Sequence, residues 1–258
     1  MRSLAWRWLT MAWCLPVLLV LGLAGGAEAE PATLQVSPDV VEISSFYQGR
    51  NVVVTGTMPE GLGAVVEVTG PSTEEHLMRK GRRGPLWMNV GAISVTGAPS
   101  IYLVLSSAPD LLKNQGASSW GFPSLIKNLR LSGDLKPDEH IMFKQQFLEL
   151  KESQKLYASI PGGLAVFPAE DGRQKITGNF WLPANIKPDT YKVCLTTVKD
   201  GQTVDRVCTD LAVQMVGFPA FLMTMAYEHA ALYGLLAIVI AIVVGAIMGY
   251  LFKGGGGH

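Results

Sequence analysis

The chain has 258 residues, and few of them are of a type and spacing that could do chemistry. Cys194 and Cys208 flank Asp200-Gly201, a dipeptide that supplies the positive φ of a hairpin turn between two alternating segments. Tyr191, Val193 and Leu195 alternate with Lys192, Cys194 and Thr196; on the return, Val207, Leu211 and Val213 alternate with Arg206, Cys208 and Asp210. A three-residue loop with Lys199 opposite Thr203 places position 208 across from 194, at a spacing a disulfide bridges. Neither cysteine has a CxxC neighbour or a nearby histidine, so a structural disulfide is expected rather than a redox or metal site. His76, His140, His229 and His258 are far apart and form no HExxH pair, and no metal site is expected. There is no GxSxG, no glycine-rich phosphate loop and no cysteine-nucleophile constellation, and the carboxylates are scattered. The chain therefore reads as a protein without catalytic residues or cofactor.

One local concentration of charge stands out. Arg79, Lys80, Arg82 and Arg83 place four cations within five residues, followed by Trp87 and Asn89. Such a cluster can bind anionic lipid headgroups, an acidic protein face or a small oxyanion, arginine doing so bidentately. The bland alternative is a solvated hairpin turn. The whole chain is balanced, 21 Lys+Arg against 21 Asp+Glu, which excludes a strongly basic nucleic-acid binder.

Positioning these residues falls to a β-rich body over residues 30–218. Runs at Val40 to Ser44, Asn51 to Thr57, Ala64 to Thr69, His76 to Lys80, Leu86 to Asn89 and Ser100 to Ser106 are separated by Gly and Pro turn signals, among them Gly70-Pro71, Gly84-Pro85, and Gly97 with Pro99. Further strands are expected at Leu164 to Phe167, Lys175 to Trp181, Thr190 to Val198 and Thr203 to Val213, with Tyr191 packing at a sandwich corner. A helical insertion is expected at about 122–157, its main helix running from Glu139 to about Tyr157 with Phe143, Phe147, Leu150 and Tyr157 inward and Lys144, Lys151 and Lys155 wet. The fold class is mainly β: an immunoglobulin-like sandwich with a helical insertion, plus one C-terminal transmembrane helix.

The two ends account for a composition that is 48% hydrophobic and only 16% charged. Arg2 and Arg7, an apolar run from Leu9 to Leu23 that contains Cys14, and Ala27-Glu28-Ala29 read as a signal peptide over residues 1–29. Residues 232–252 carry no charge, and at about 1.5 Å per residue they match a hydrocarbon core of roughly 30 Å. Tyr233 and Tyr250 sit at its ends, and Lys253 opens a 253–258 tail read as cytoplasmic. Residues 219–231 are expected to form an interfacial helix, with Phe218, Phe221, Leu222 and Met225 on one stripe. Ala237, Ala241, Gly245 and Gly249 form a small-residue stripe on which a second helix could pack.

Arg79-Lys80-Gly81-Arg82 with Gly84 and Trp87-Met88-Asn89, then Pro99-Ser100-Ile101-Tyr102, Ser106-Ser107, Leu156-Tyr157, Pro161-Gly162-Gly163, the Pro183 to Tyr191 segment and Tyr227 to Gly234 together resemble a family of transmembrane proteins of alphaproteobacteria. The resemblance covers essentially the whole chain beyond the signal peptide. It implies no established activity, and it assigns no role to the juxtamembrane helix or to the cysteine pair. It implies an accessory role beside a multi-spanning permease of the sulfite/sulfonate exporter type. The expectation is thus a single-pass protein of the bacterial inner membrane, its ectodomain periplasmic and its C-terminus cytoplasmic, whose partners are the lipid bilayer and an integral-membrane permease. A membrane-tethered anion-binding module built on Arg79, Lys80, Arg82 and Arg83 is the alternative.

Overall fold

Along β3 (Arg50–Pro59) the side chains of Val52, Val54 and Met58 are buried while Asn51 and Val53 face outward, the period-two signature of a strand with one face in a core. In a computed structural model of the chain, residues 31–113, 119–133, 135–136 and 138–252 are described. The signal peptide read over residues 1–29 and the 253–258 tail, Lys253 included, lie outside the described residues. β3 belongs to a four-stranded sheet in the order β1 (Thr33–Ser37), β3, β11 (Arg173–Leu182), β10 (Leu164–Val166). Against it lies a six-stranded sheet in the order β2 (Val40–Ile43), β13 (Gln202–Met215), β12 (Asp189–Lys199), β4 (Gly63–Thr69), β7 (Tyr102–Ser106), β9 (Tyr157–Ile160). Val52, Val54, Ile176 and Phe180 from the first sheet share one core with Val66, Leu103, Tyr191, Val193 and Leu211 from the second.

The outer face of the six-stranded sheet is covered too. A third sheet, β5 (Ser72–Arg83), β6 (Leu86–Pro99) and β8 (Arg130–Gly133), and the helices α2 (Gly121–Asn128) and α3 (Glu139–Ser153) build a second core there. Val65, Tyr102, Val104 and Tyr157 meet Val95, Ala98, Leu125, Leu129, Phe147 and Leu148 in it. A short helix, α1 (Asp110–Lys113), follows β7. Burial on both faces explains why β4 and β7 read as apolar runs instead of alternating: every side chain of Tyr102–Ser106 is buried. The chain is therefore mainly β, but as two sheets face to face with a third layer of helix and sheet, and the sheets include two parallel pairs, β2 with β13 and β7 with β9.

Two expected turns are not turns. Thr69 pairs with Tyr102 in one sheet and Ser72 with Pro99 in the next, in the same register, and Gly70 N–H donates to Ile101 O at 2.9 Å between them. Gly70-Pro71 and Pro99-Ser100 are thus the crossing points of one continuous antiparallel ribbon, β4–β5 against β6–β7. Glycine is required at 70 because a Cβ there would stand 2.9 Å from the Tyr191 ring. The Gly84-Pro85 reversal is as expected, with Gly84 at φ 63°.

The helix expected to reach Tyr157 ends at Ser153. Lys155 at φ 59° reverses the chain, and Tyr157 opens β9 instead, its ring edge-on to Phe147. Lys151, read as wet, is buried, and Leu150, read as inward, is exposed. The Lys151 ammonium lies 5.5 Å from the Phe147 ring and 2.8 Å from Glu75. Burial pushes the Glu75 carboxyl up, but the hydrogen bond and charge of Lys151 outweigh it, and the net shift is down from 4.5. A lowered folded-state value means the pair adds stability at neutral pH that is lost as pH falls below about 4.5.

Tyr191 is the expected corner residue: fully buried, its hydroxyl donates to Lys187 O at 2.7 Å. Cys194 and Cys208 are directly opposed and bridged, with Cα atoms 4.0 Å apart. The local route differs from the expected three-residue loop. Asp200 and Gly201, at φ 50° and 77°, make a two-residue turn with Lys199 opposite Gln202, and a bulge at Val204 restores the register. Closing a loop of about 15 residues contributes about 3 kcal/mol. Reduction, or Cys194→Ser with Cys208→Ser, should therefore lower the thermal midpoint of the detergent-solubilised chain by about 6–12 °C, measured by circular dichroism.

Candidate functional site

Strand alternation divides the cation cluster between two faces of the β5–β6 hairpin. Lys80 pairs with Asn89 and Arg82 with Trp87, so these four share one face. Arg79, Gly81, Arg83, Leu86 and Met88 belong to the other. Arg79 is half-buried and held by Glu139 of α3 at 3.1 Å, whereas Lys80, Arg82 and Arg83 are exposed. Arg82 Nε donates to Gly84 O at 3.1 Å, bracing the turn. The structure thus brings Lys80, Arg82, Trp87 and Asn89 together and takes Arg79 away from them; the cations surround a protruding tip. β8 supports β6 only from Ile93 to Thr96, so residues 80–89 form a two-stranded arm beyond the sheet. That arm is capped by apolar side chains: Leu86, Trp87 and Met88 are 64%, 72% and 45% exposed.

Sequence reading missed a buried carboxylate. Glu67 sits in the middle of β4, 5% exposed, on the outer face of the six-stranded sheet in the same row as Cys194 and Cys208. Its Oε1 accepts from the Tyr102 hydroxyl in a short hydrogen bond and from Gly121 N–H at 3.1 Å, and Arg206 Nη2 approaches Oε2 at 3.4 Å. Burial, with the Glu67 charge beside it, pushes the Tyr102 phenol far above its ordinary value, so it stays a donor. A cavity of about 230 Å³ opens beside this group, walled by Thr69, Ser124, Asn128 and Arg206. Both carboxylate oxygens are engaged, and the network ties α2 to the six-stranded sheet. The available signal was a lone carboxylate inside the run Ala64-Val65-Val66-Glu67-Val68, where a charge needs partners.

After β13 the chain turns at Gly217 into α4 (Phe218–Glu228), with Pro219 in its first turn. His229 breaks the helix, and α5 (Ala230–Phe252) follows, starting two residues before the expected span. The expected stripe of α4 is split: Leu222 and Met225 are half-buried, while Phe218 and Phe221 are 64% and 52% exposed. Between α4 and the ends of β12 and β13 lies an open cleft of about 620 Å³, lined by Pro188, Thr190, Met215, Met223 and Tyr227 among others. α5 has 23 residues, a mean hydropathy of 2.8 over its best window and no buried side chain. At about 1.5 Å per residue it spans about 35 Å, enough to cross a bilayer. Ala237, Ala241, Gly245 and Gly249 recur every fourth residue along it, and a Cβ added at Gly245 or Gly249 would meet nothing. Among the described residues, no group of three or more His, Cys, Asp or Glu is placed to hold a metal ion.

A β-rich body continued through a short helix into one bare apolar helix defines a membrane-anchored protein with a single candidate span among the described residues. The chain belongs to the family described as "Putative transmembrane protein (Alph_Pro_TM)", whose model matches residues 32–254. No curated protein and no solved structure matches it.

Glu67→Leu should destabilise the protein by about 3 kcal/mol, because the Tyr102 hydroxyl and Gly121 N–H are left buried without an acceptor. Arg206→Ala should cost less than about 1 kcal/mol, since its guanidinium is half-exposed and its ion pair screened. Denaturant unfolding of the two variants in parallel checks the contrast.

Proposed function

We propose that the protein is a single-pass accessory protein of the bacterial inner membrane, without catalytic activity of its own, that docks on a multi-spanning permease of the sulfite/sulfonate exporter type through its span and its β body. The body lies in the periplasm and the C-terminus in the cytoplasm, following the signal-peptide reading of residues 1–29 and the position of Lys253. The observation that carries the docking reading is α5: every side chain is uncovered by the rest of the chain, and Gly245 and Gly249 face open space on the small-residue stripe. Within a bilayer, where apolar side chains gain nothing from leaving lipid, such a stripe favours close approach of a second helix. The anion-binding alternative draws less from the geometry, since Arg79 is committed to Glu139 and strand alternation puts Arg83 on the face opposite Lys80 and Arg82.

Capture of the permease with the full chain from membranes in mild detergent tests this. Gly245→Leu with Gly249→Leu should reduce capture by roughly tenfold, a loss of about 1.4 kcal/mol of helix contact. Val239→Leu with Val243→Leu, on the opposite face of α5, should leave capture intact. Absence of the permease from the wild-type material, or equal capture by both double variants, would contradict docking through the span.

A further inference from the structure

We infer that the tip of the β5–β6 hairpin is a second membrane contact, in which Lys80, Arg82 and Arg83 rest on anionic lipid headgroups while Leu86, Trp87 and Met88 enter the interfacial layer of the bilayer that holds α5. The topology comes first. β12 is antiparallel to both β4 and β13, with Lys192 opposite Thr69 on one side and Asp210 on the other. β4 and β13 therefore run in the same direction and leave the six-stranded sheet at the same end. From that end β13 continues into α4 and α5, and β4 continues into β5 without a reversal at Gly70-Pro71. The arm and the span are thus sent out of one end of the body. Within β5 only residues 80–83 lie beyond the part held by α3, so at about 3.3 Å per residue the free arm projects roughly 13 Å.

The same end carries further exposed aromatics. β2 runs parallel to β13, with Ile43 beside Met215, so the loop after β2 is at this end, and Phe46 within it is 90% exposed. Tyr47 donates to Leu182 O, which brings Trp181, 53% exposed, to this end as well. Rings at the water–lipid boundary are the usual company of a span.

The chemistry of the tip selects the lipid. From His76 to Pro109 there is no Asp or Glu, so the hairpin beyond Glu75 carries cations and no carboxylate, and Glu139 of α3 takes Arg79 alone. A polybasic arm with Trp and Leu at its apex matches a surface that is negative at the headgroups and apolar just beneath. The tether adds to this, because a tip fixed to a span is held near the bilayer at high effective concentration. Glu139 and Lys151, gripping Arg79 and Glu75, hold the base of the arm against α3 so that only the tip is presented.

The test uses the full chain, reconstituted without other proteins into vesicles of phosphatidylcholine alone or mixed with phosphatidylglycerol, each with and without brominated acyl chains. Subtracting the emission of a Trp87→Phe variant isolates Trp87 from the other tryptophans. In the anionic vesicles Trp87 should be blue-shifted and quenched by the brominated chains. Both signals should be lost in pure phosphatidylcholine and at high salt, comparisons that need no further mutation. Lys80→Gln with Arg82→Gln and Arg83→Gln should lower the tip's membrane partition by roughly a hundredfold, about fivefold for each cation. Trp87 emission that ignores brominated lipid in both vesicles would overturn the proposal and give the tip to a protein partner. Equal quenching in neutral and anionic vesicles would overturn it as well, since anionic headgroups would then play no part.

Discussion

The whole body hangs on one antiparallel ladder. β4–β5 against β6–β7 begins in the six-stranded sheet and ends at the hairpin tip, so a single ribbon takes part in both hydrophobic cores and then leaves them. Its register is unchanged across the crossing at Gly70-Pro71, and this constraint fixes where everything else can go. Val66 and Leu103 must face the first core, Val65 and Tyr102 the second, because neighbours on a strand point to opposite sides. A one-residue slip would exchange the two sets and bury Glu67 in the apolar inner core, away from Gly121 N–H and Arg206.

The outer core is smaller and more polar than the inner one, and ionic contacts define its edges. Glu67 joins the sheet to α2, Glu75 joins β5 to Lys151, and Glu139 joins α3 to Arg79. Each pairs a strand with a helix of the insertion, and each involves a buried or half-buried group whose loss leaves a partner uncompensated. The inner core is held by apolar contact, with Tyr191 and the Cys194–Cys208 bridge fixing the two strands that lead to the span.

Much of this was legible in the chain. The Asp200-Gly201 turn, the cysteine pairing, the Tyr191 corner, the Gly84-Pro85 reversal and the apolar helix follow from local rules about φ, alternation and length, which one segment satisfies alone. Gly70-Pro71 and Gly97 with Pro99 misled because glycine and proline mark a sheet crossing as readily as a turn, and only the partner strand distinguishes them. Lys151 misled because a long aliphatic stem can lie buried when its ammonium finds a carboxylate, here Glu75, 76 positions away in sequence. β1, β8 and β9 are short and carry no local signal of their own, since each is a strand only by virtue of the partner it pairs with. For the candidate site, the tip residues were visible as a cluster, but the division of their faces and the removal of Arg79 by α3 required the register.

The central claim is directional: the end of the body from which β4 and β13 leave faces the bilayer that α5 crosses. Nitroxide labels introduced at Phe46→Cys on that end and at Asp200→Cys in the turn at the opposite end, with the native disulfide intact, can be compared for relaxation by a paramagnetic chelate carried on lipid headgroups. Strong relaxation at position 46 and little at position 200 is the predicted result. Equal relaxation at the two positions, or the stronger effect at 200, would contradict the account.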